Sequence, residues 1–402
     1  MRRRGGRSRP SPVGAPVIRA GVRWLVLLVL LVALAGCATV EHGYDSALLL
    51  GDVQAGTGDS LLKRQTSEPE RAVVEYKRGS RAYVADRYRP VGGDIRGTLV
   101  LVHGFTPYGR RDPRLSAFAR SMARSGFIVL VPDVSGAMTG ALSLNNGRAI
   151  RDALASVGDG AHGYRSGPVG AMAYSFGVGP TLIAASRPAV ADDLDFLVAV
   201  GGYYDLRDAI TYITTGVDPA REGRSPAPRR PARWFFLLTQ LPRISDAEDR
   251  EVLRRIAERR LSQPNASVAD LAAELSPGGR AVYQLMSNND PGRVADLMAA
   301  LPRGMRAQIN GLDLAQRDLT NLDADVVLIH GRDDDVIPIS HSERLKAAIG
   351  PERVRLYRAG GLKHVDVAPG LWDSFALWRA AIHILDLAER HAGGRSGRQA
   401  AR

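Results

Sequence analysis

The sequence predicts an α/β fold: a mainly parallel sheet with helices on both faces and a helical insertion. Three observations carry this. Short apolar runs rich in β-branched residues recur along the chain, separated by helix-length segments. The runs are apolar at successive positions, as in strands covered on both sides. The alternation breaks once, between 206 and 322, in a stretch that reads as helical.

Taken in order, segments near 71–77 and 82–89 read as an antiparallel entry to the sheet. Residues 97–104 (Gly-Thr-Leu-Val-Leu-Val-His-Gly) are a buried strand, and 113–125 have helical spacing. A strand at 127–132 ends at Asp133 and a helix spans 147–157. Strand 168–175 leads into helix 177–186, and strand 196–202 follows. The Pro/Arg-rich loop 218–233 opens the interruption, with helices at 231–241, 246–261, 267–275 and 291–300. An insertion this long needs structure of its own and is expected over the strand ends as a cap. Strand 325–331, helix 341–349, strand 354–358 and the long amphipathic helix 370–391 complete the pattern. The expected division is a signal at 1–36, a mixed and partly helical tether at 37–70, and a core at 71–205 and 323–391. The cap occupies 206–322, and 392–402 form a disordered tail.

Composition is that of a globular chain: 402 residues, 45% hydrophobic and 24% charged. The formal charge of +12 is uneven. Residues 1–36 hold seven arginines and no acid, and without them 47 bases face 42 acids. With no dense basic face and interleaved aromatics, nucleic-acid binding is not expected. Arginine far outnumbers lysine, present at four positions. That pattern fits a GC-rich coding bias.

Residues 24–35 are twelve apolar residues behind an arginine-rich segment. A spanning helix takes roughly 20, so this is the length of a signal-peptide core. It ends in Leu34-Ala35-Gly36-Cys37, which resembles the lipobox of bacterial lipoproteins. That resemblance implies cleavage before Cys37 and a lipid on its thiol. Cys37 is the sole cysteine, so an internal disulfide is impossible. The other reading is an uncleaved anchor. The Arg2-Arg3-Arg4 run lacks the hydrophobic residues expected after a twin-arginine pair, and the long leader fits a later start codon. The expected place is the periplasmic side of a membrane, and Ala38 favours the outer one.

The residues suited to chemistry lie at strand ends. Ala173-Tyr174-Ser175-Phe176-Gly177-Val178-Gly179-Pro180 follows an apolar strand and opens a helix. Such a tight turn lifts the Ser175 hydroxyl clear of the sheet and aims a helix N-terminus at it. A serine that merely caps the helix is the plainer alternative. Gly331-Arg-Asp-Asp334-Asp-Val-Ile-Pro338 follows another strand, and an acid there can orient a histidine. Asp205, after the 196–202 strand, is a second candidate acid. Gly360-Gly361-Leu362-Lys363-His364-Val365-Asp366 precedes the last helix, where His364 can reach over the sheet as a general base. Val102-His103-Gly104-Phe105 ends the first central strand, and His103 reads as structural. No cluster has metal-ligand spacing and no phosphate loop is evident, so neither metal nor cofactor is expected.

In this chain order of strand-end motifs, with 112–120 and 126–133 as a helix and strand, the sequence resembles the α/β-hydrolase superfamily over 71–205 and 323–391. Ala173 departs modestly from the usual Gly-x-Ser-x-Gly. The resemblance implies an eight-stranded sheet, Asp334 as the acid among three aspartates, and oxyanion-binding N–H groups from Phe105 and Phe176. It implies acyl transfer through Ser175, Asp334 and His364.

The expected function is hydrolysis of small-molecule carboxylic esters, with the membrane as partner through the lipid anchor. Tyr174, Tyr203 and Tyr204, with Trp234, Phe235 and Phe236 of the insertion, are candidates for an apolar substrate pocket. Packing of cap on core is the plainer role for these aromatics. A peptidase or thioesterase on the same residues, and a binding lipoprotein without catalysis, remain open.

Overall fold

The computed structural model describes residues 40–104, 106, 108–134, 144–160, 162–221, 231–360, 362–364, 366–367 and 371–400. Cys37 and the signal 1–36 lie outside them.

In chain order the elements are α1 (40–55), α2 (Leu61–Gln65), β1 (Glu70–Arg78), β2 (Arg81–Arg89), β3 (Gly97–Val102), α3 (Pro113–Arg124) and β4 (Phe127–Pro132). Then come α4 (Leu144–Gly158), β5 (Val169–Tyr174), α5 (Val178–Ala185), α6 (Pro188–Ala191) and β6 (Phe196–Val200). Seven helices follow: α7 (Leu206–Thr215), α8 (Ala232–Gln240), α9 (Ala247–Ser262), α10 (Ala269–Ala273), α11 (Pro277–Ser287), α12 (Val294–Ala299) and α13 (Arg303–Leu312). The chain closes with β7 (Asp325–Gly331), α14 (Ser340–Ile349), β8 (Val354–Ala359), the short pair β9 (Leu362–Lys363) and β10 (Asp366–Val367), and α15 (Leu371–Ala400).

Eight strands form one sheet in the order β1-β2-β4-β3-β5-β6-β7-β8. β1 and β2 are antiparallel to each other and β2 to β4, and the other pairs run parallel. The pleat sends alternate side chains to opposite faces. Val100, Val102, Ala171, Ala173, Leu197 and Ala199 join one core with α4 and α5. Leu99, Leu101, Met172, Val198 and Val200 join the other, under α1, α3 and α15.

The helices between β6 and β7 share the first core: Phe236, Leu253, Ile256, Val282 and Leu285 all belong to it. Helix α11 is absent from the sequence expectation because it starts Pro277-Gly278-Gly279, which reads as a turn. Two acceptors fix that start. The Ser276 hydroxyl takes the N–H groups of Gly278 and Gly279, and the buried Asp249 carboxylate takes those of Ser276 and Gly279, both at 2.9 Å. A Cβ at Gly279 would come within 2.3 Å of Asp249 Oδ1.

Residues 37–70, expected as a mixed and partly helical tether, are helical over 40–55 and Leu61–Gln65, and the first of these helices packs on the body. Leu48 and Leu49 are buried, Trp378 Nε1–H donates to Gly43 O at 2.7 Å, and His42 pairs with Asp386 and Glu389 of α15. The apolar side of α1 needs cover, and α15 supplies it. The tail 392–402 was expected to lack order; the helix α15 runs to Ala400, and residues 401–402 lie outside the described residues.

Candidate active site

Ser175 follows β5 directly and begins the turn into α5 with φ 52°, a left-handed conformation rare for a residue with a side chain. That geometry projects the hydroxyl beyond the strand ends. His364 follows β9, with φ 56°. Its Nε2 lies 2.7 Å from Ser175 Oγ, and its Nδ1 lies 3.0 Å from Asp334 Oδ2 and 3.2 Å from Oδ1. An ionised carboxylate only accepts, so Nδ1 carries the proton and Nε2 is left to accept from the serine hydroxyl.

Asp334 is 1% exposed. Its Oδ1 accepts the backbone N–H groups of Val336 and Ile337, each at 2.9 Å. Burial pushes its carboxyl up, but the electrostatic pull and hydrogen bond of His364, with His330 beside it, outweigh this. They hold it well below the usual carboxylate range. Asp333 is exposed by comparison. Asp205, the other candidate acid, caps α7 through the N–H groups of Arg207 and Asp208, and pairs with Arg344 at 3.3 Å.

The β3 loop interlocks with this turn. A Cβ on Gly104 would sit 3.0 Å from Ser175 Cβ, and one on Gly177 would sit 2.5 Å from His103 O. His103 is buried and donates from Nδ1 to Gly104 O at 2.7 Å. Burial lowers its pKa, with that hydrogen bond opposing, so the ring stays neutral.

No family model matches the sequence, and no curated protein matches it. Solved structures do resemble it. A Legionella pneumophila protein provisionally named a hydrolase superposes with a TM-score of 0.52 at 12% identity, over 80% of this chain and 88% of that one. The chain has the α/β-hydrolase fold. Looser likenesses include a dienelactone hydrolase from Anabaena variabilis (TM-score 0.41, 14% identity, 79% of this chain and 98% of that one). Another is a puromycin-hydrolyzing peptidase from Mycobacterium tuberculosis (0.44, 17%, 81% and 39%).

Within this α/β-hydrolase fold, Phe176 follows Ser175 and its ring packs on Tyr203 and Phe236, at centroid distances of 5.6 and 5.7 Å. Phe105 lies outside the described residues. The three tyrosines expected to line one pocket are not brought together. Tyr174 shares the pleat direction of Met172 and points to the α3 side, against Phe118. Tyr203 is fully buried on the opposite side and donates to Leu312 O at 3.0 Å. Tyr204 is half-buried with the Arg344 guanidinium over its ring. Of the insertion's aromatics, Trp234 and Phe236 are buried and Phe235 is exposed.

Two histidines escaped the sequence reading. His330, fully buried, sets Nδ1 2.6 Å from Ser342 Oγ, donates from Nε2 to Ile337 O at 2.8 Å, and keeps that nitrogen 3.5 Å from Asp334 Oδ2. His341 Nδ1 accepts from Tyr204 N–H at 3.2 Å and Asp205 N–H at 3.4 Å, fixing the loop after β6. The available signal was a polar ring beside an otherwise apolar strand, four residues ahead of Asp334.

Proposed function

We propose that this chain is a serine hydrolase that cleaves carboxylic esters through an acyl-Ser175 intermediate. The reading rests on the continuous hydrogen-bonded line from Asp334 through His364 to Ser175. Ser175 Oγ attacks the ester carbonyl carbon as His364 Nε2 takes the hydroxyl proton. Asp334 holds the ring in the tautomer this requires and stabilises the imidazolium. Backbone N–H groups of Phe176 and Phe105 receive the oxyanion. Collapse expels the alcohol, which takes the proton from His364. A water, deprotonated in turn by His364, then frees the acid.

The surroundings of Ser175 are apolar, with Phe176 and Tyr203 packed on one face of the sheet and Tyr174 on the other, and this favours an ester with a hydrophobic part. In the same reading the insertion 206–322 shapes the approach to Ser175 as a cap, with Phe236 on Phe176 as its contact. The protein is then an exported lipoprotein held to a membrane, the outer one favoured, by a lipid on Cys37. Among the described residues no helix is long and apolar enough to cross a membrane.

A panel of p-nitrophenyl esters beside aminoacyl amides tests the reaction class. Turnover of the esters is expected. Turnover of amides, with esters of every chain length inert, overturns it.

A further inference from the structure

A cavity of about 520 Å³ lies between α1, α3, α15 and the sheet, a size typical of ligand sites. Its floor is Met172, Tyr174, Val200 and Ile329. Tyr174 precedes Ser175, and Leu362, also in the lining, stands two residues before His364. Val200 precedes Gly201, where a Cβ would lie 3.5 Å from Asp334 Oδ2 and 3.7 Å from His364 Nδ1. The cavity therefore adjoins three of the strand ends that bring Ser175, His364 and Asp334 together. It is on the face opposite the helical insertion, where the sequence pointed.

Its lining is overwhelmingly hydrocarbon, so a polar ligand would lose hydration there without recompense. Its approach is elongated. Val40, Tyr44, Ala47 and Gly51 follow one another at helical spacing along α1, all exposed, and the last two reach the cavity's edge. Phe375 of α15, 51% exposed, stands at the same edge. Gln54 and Ser374 are polar side chains of the lining, and an unbranched chain can follow the apolar stripe past them into the cavity.

We infer that the cavity holds the hydrocarbon chain of the substrate, an acyl or alkyl chain of an ester, while its carboxyl carbon is presented to Ser175. This rests on the ester-hydrolase reading for the identity of the reacting bond. Binding of the chain itself does not.

Two measurements on the same protein separate the claims. Trp378 lines the cavity, so brominated fatty acids should quench its fluorescence saturably, and Trp378→Phe should remove that component. Gly51→Phe places a ring at the edge, where a Cβ meets no atom within 4 Å. Replacing a helical glycine also favours α1, so the variant should fold. It should weaken the quenching at least tenfold. In the wild type, kcat/KM on p-nitrophenyl esters should rise about fourfold per added methylene, from butyrate until the cavity is filled. Gly51→Phe should flatten that rise. A wild type indifferent to chain length, or a Gly51→Phe profile identical to it, overturns the assignment to substrate. Absence of saturable quenching overturns the cavity as a chain site. Quenching with no ester hydrolysed sinks the reaction reading and leaves the chain site standing.

Discussion

Ser175 and His364 are separated by 189 positions in sequence, yet the serine Oγ lies 2.7 Å from the imidazole Nε2. Both hold left-handed backbone, with φ of 52° and 56°, and among the described residues no other non-glycine position does. Such a conformation costs about 1–2 kcal/mol per residue. The strain is thus concentrated on the two side chains that meet, and the packing around them maintains it.

Ser175→Ala should abolish labelling by a fluorophosphonate and end ester turnover. Alanine keeps the strained backbone while glycine relieves it. Ser175→Gly should therefore be equally inactive but about 1 kcal/mol more stable than Ser175→Ala. Urea denaturation of the two variants measures this. Equal stabilities would show that the turn carries no strain.

Asp334→Asn presents an N–H where His364 Nδ1 requires an acceptor, so the ring turns to the wrong tautomer. A fall in kcat of about 10³–10⁴-fold is expected, with KM little changed. The wild-type carboxyl is depressed below its unfolded value. Its contribution to stability is complete above the unfolded pKa of about 4 and is lost as pH falls through the folded one. Acid titration of stability should therefore be steeper below about pH 4 in the wild type than in Asp334→Asn.

His341 gives a second pH-dependent term. Burial, chiefly, pushes its pKa down to about 3, so the folded ring stays neutral where the unfolded one protonates. A depressed group contributes stability that is full above the unfolded value, near 6.5, and fades as pH falls toward the folded one. Between pH 7 and pH 5 the wild type should lose about 2 kcal/mol more than His341→Gln, which keeps an acceptor for the Tyr204 and Asp205 N–H groups. Parallel pH dependences in urea denaturation would exclude this role for His341.

What could be read from the sequence, and what could not, follows from the range of the forces involved. Buried runs such as 127–132 and 325–331 announce strands because both faces need cover, and local order puts Ser175, His364 and the aspartates at 333–335 at strand ends, while the family resemblance singled out Asp334. The substrate pocket needed more. Tyr174 adjoins the serine, and Tyr203 and Tyr204 follow the next strand, but the pleat at Tyr174 and the turn after Val200 send their rings to different sides. Residues 40–55 read as part of a partly helical tether, and their docking on the body was not legible because Trp378, Asp386 and Glu389, which anchor them, lie more than 300 positions away. Helix α11 was hidden by its glycines, whose need is explained by Asp249 on another helix.

The interlock between the β3 loop and the serine turn leads to a last prediction. Gly177 faces the His103 carbonyl so closely that a methyl group would sit 2.5 Å from the oxygen, and backbone cannot swing aside as a side-chain end can. Gly177→Ala must therefore displace either the loop or the turn. Relief at the turn would move Ser175 away from His364, and relief at the loop would move residue 105, on which the proposed oxyanion contact depends. Either shift should lower kcat by tenfold or more, on the order of one lost oxyanion donor or less. The overpacking should cost about 1–3 kcal/mol of stability. Ala173→Gly, at the other small position of the same motif, should leave turnover within about twofold, since it removes a methyl instead of adding one. Thermal unfolding and steady-state kinetics on the pair report both effects, and a Gly177→Ala enzyme with wild-type kcat would show that the two backbones are free to separate.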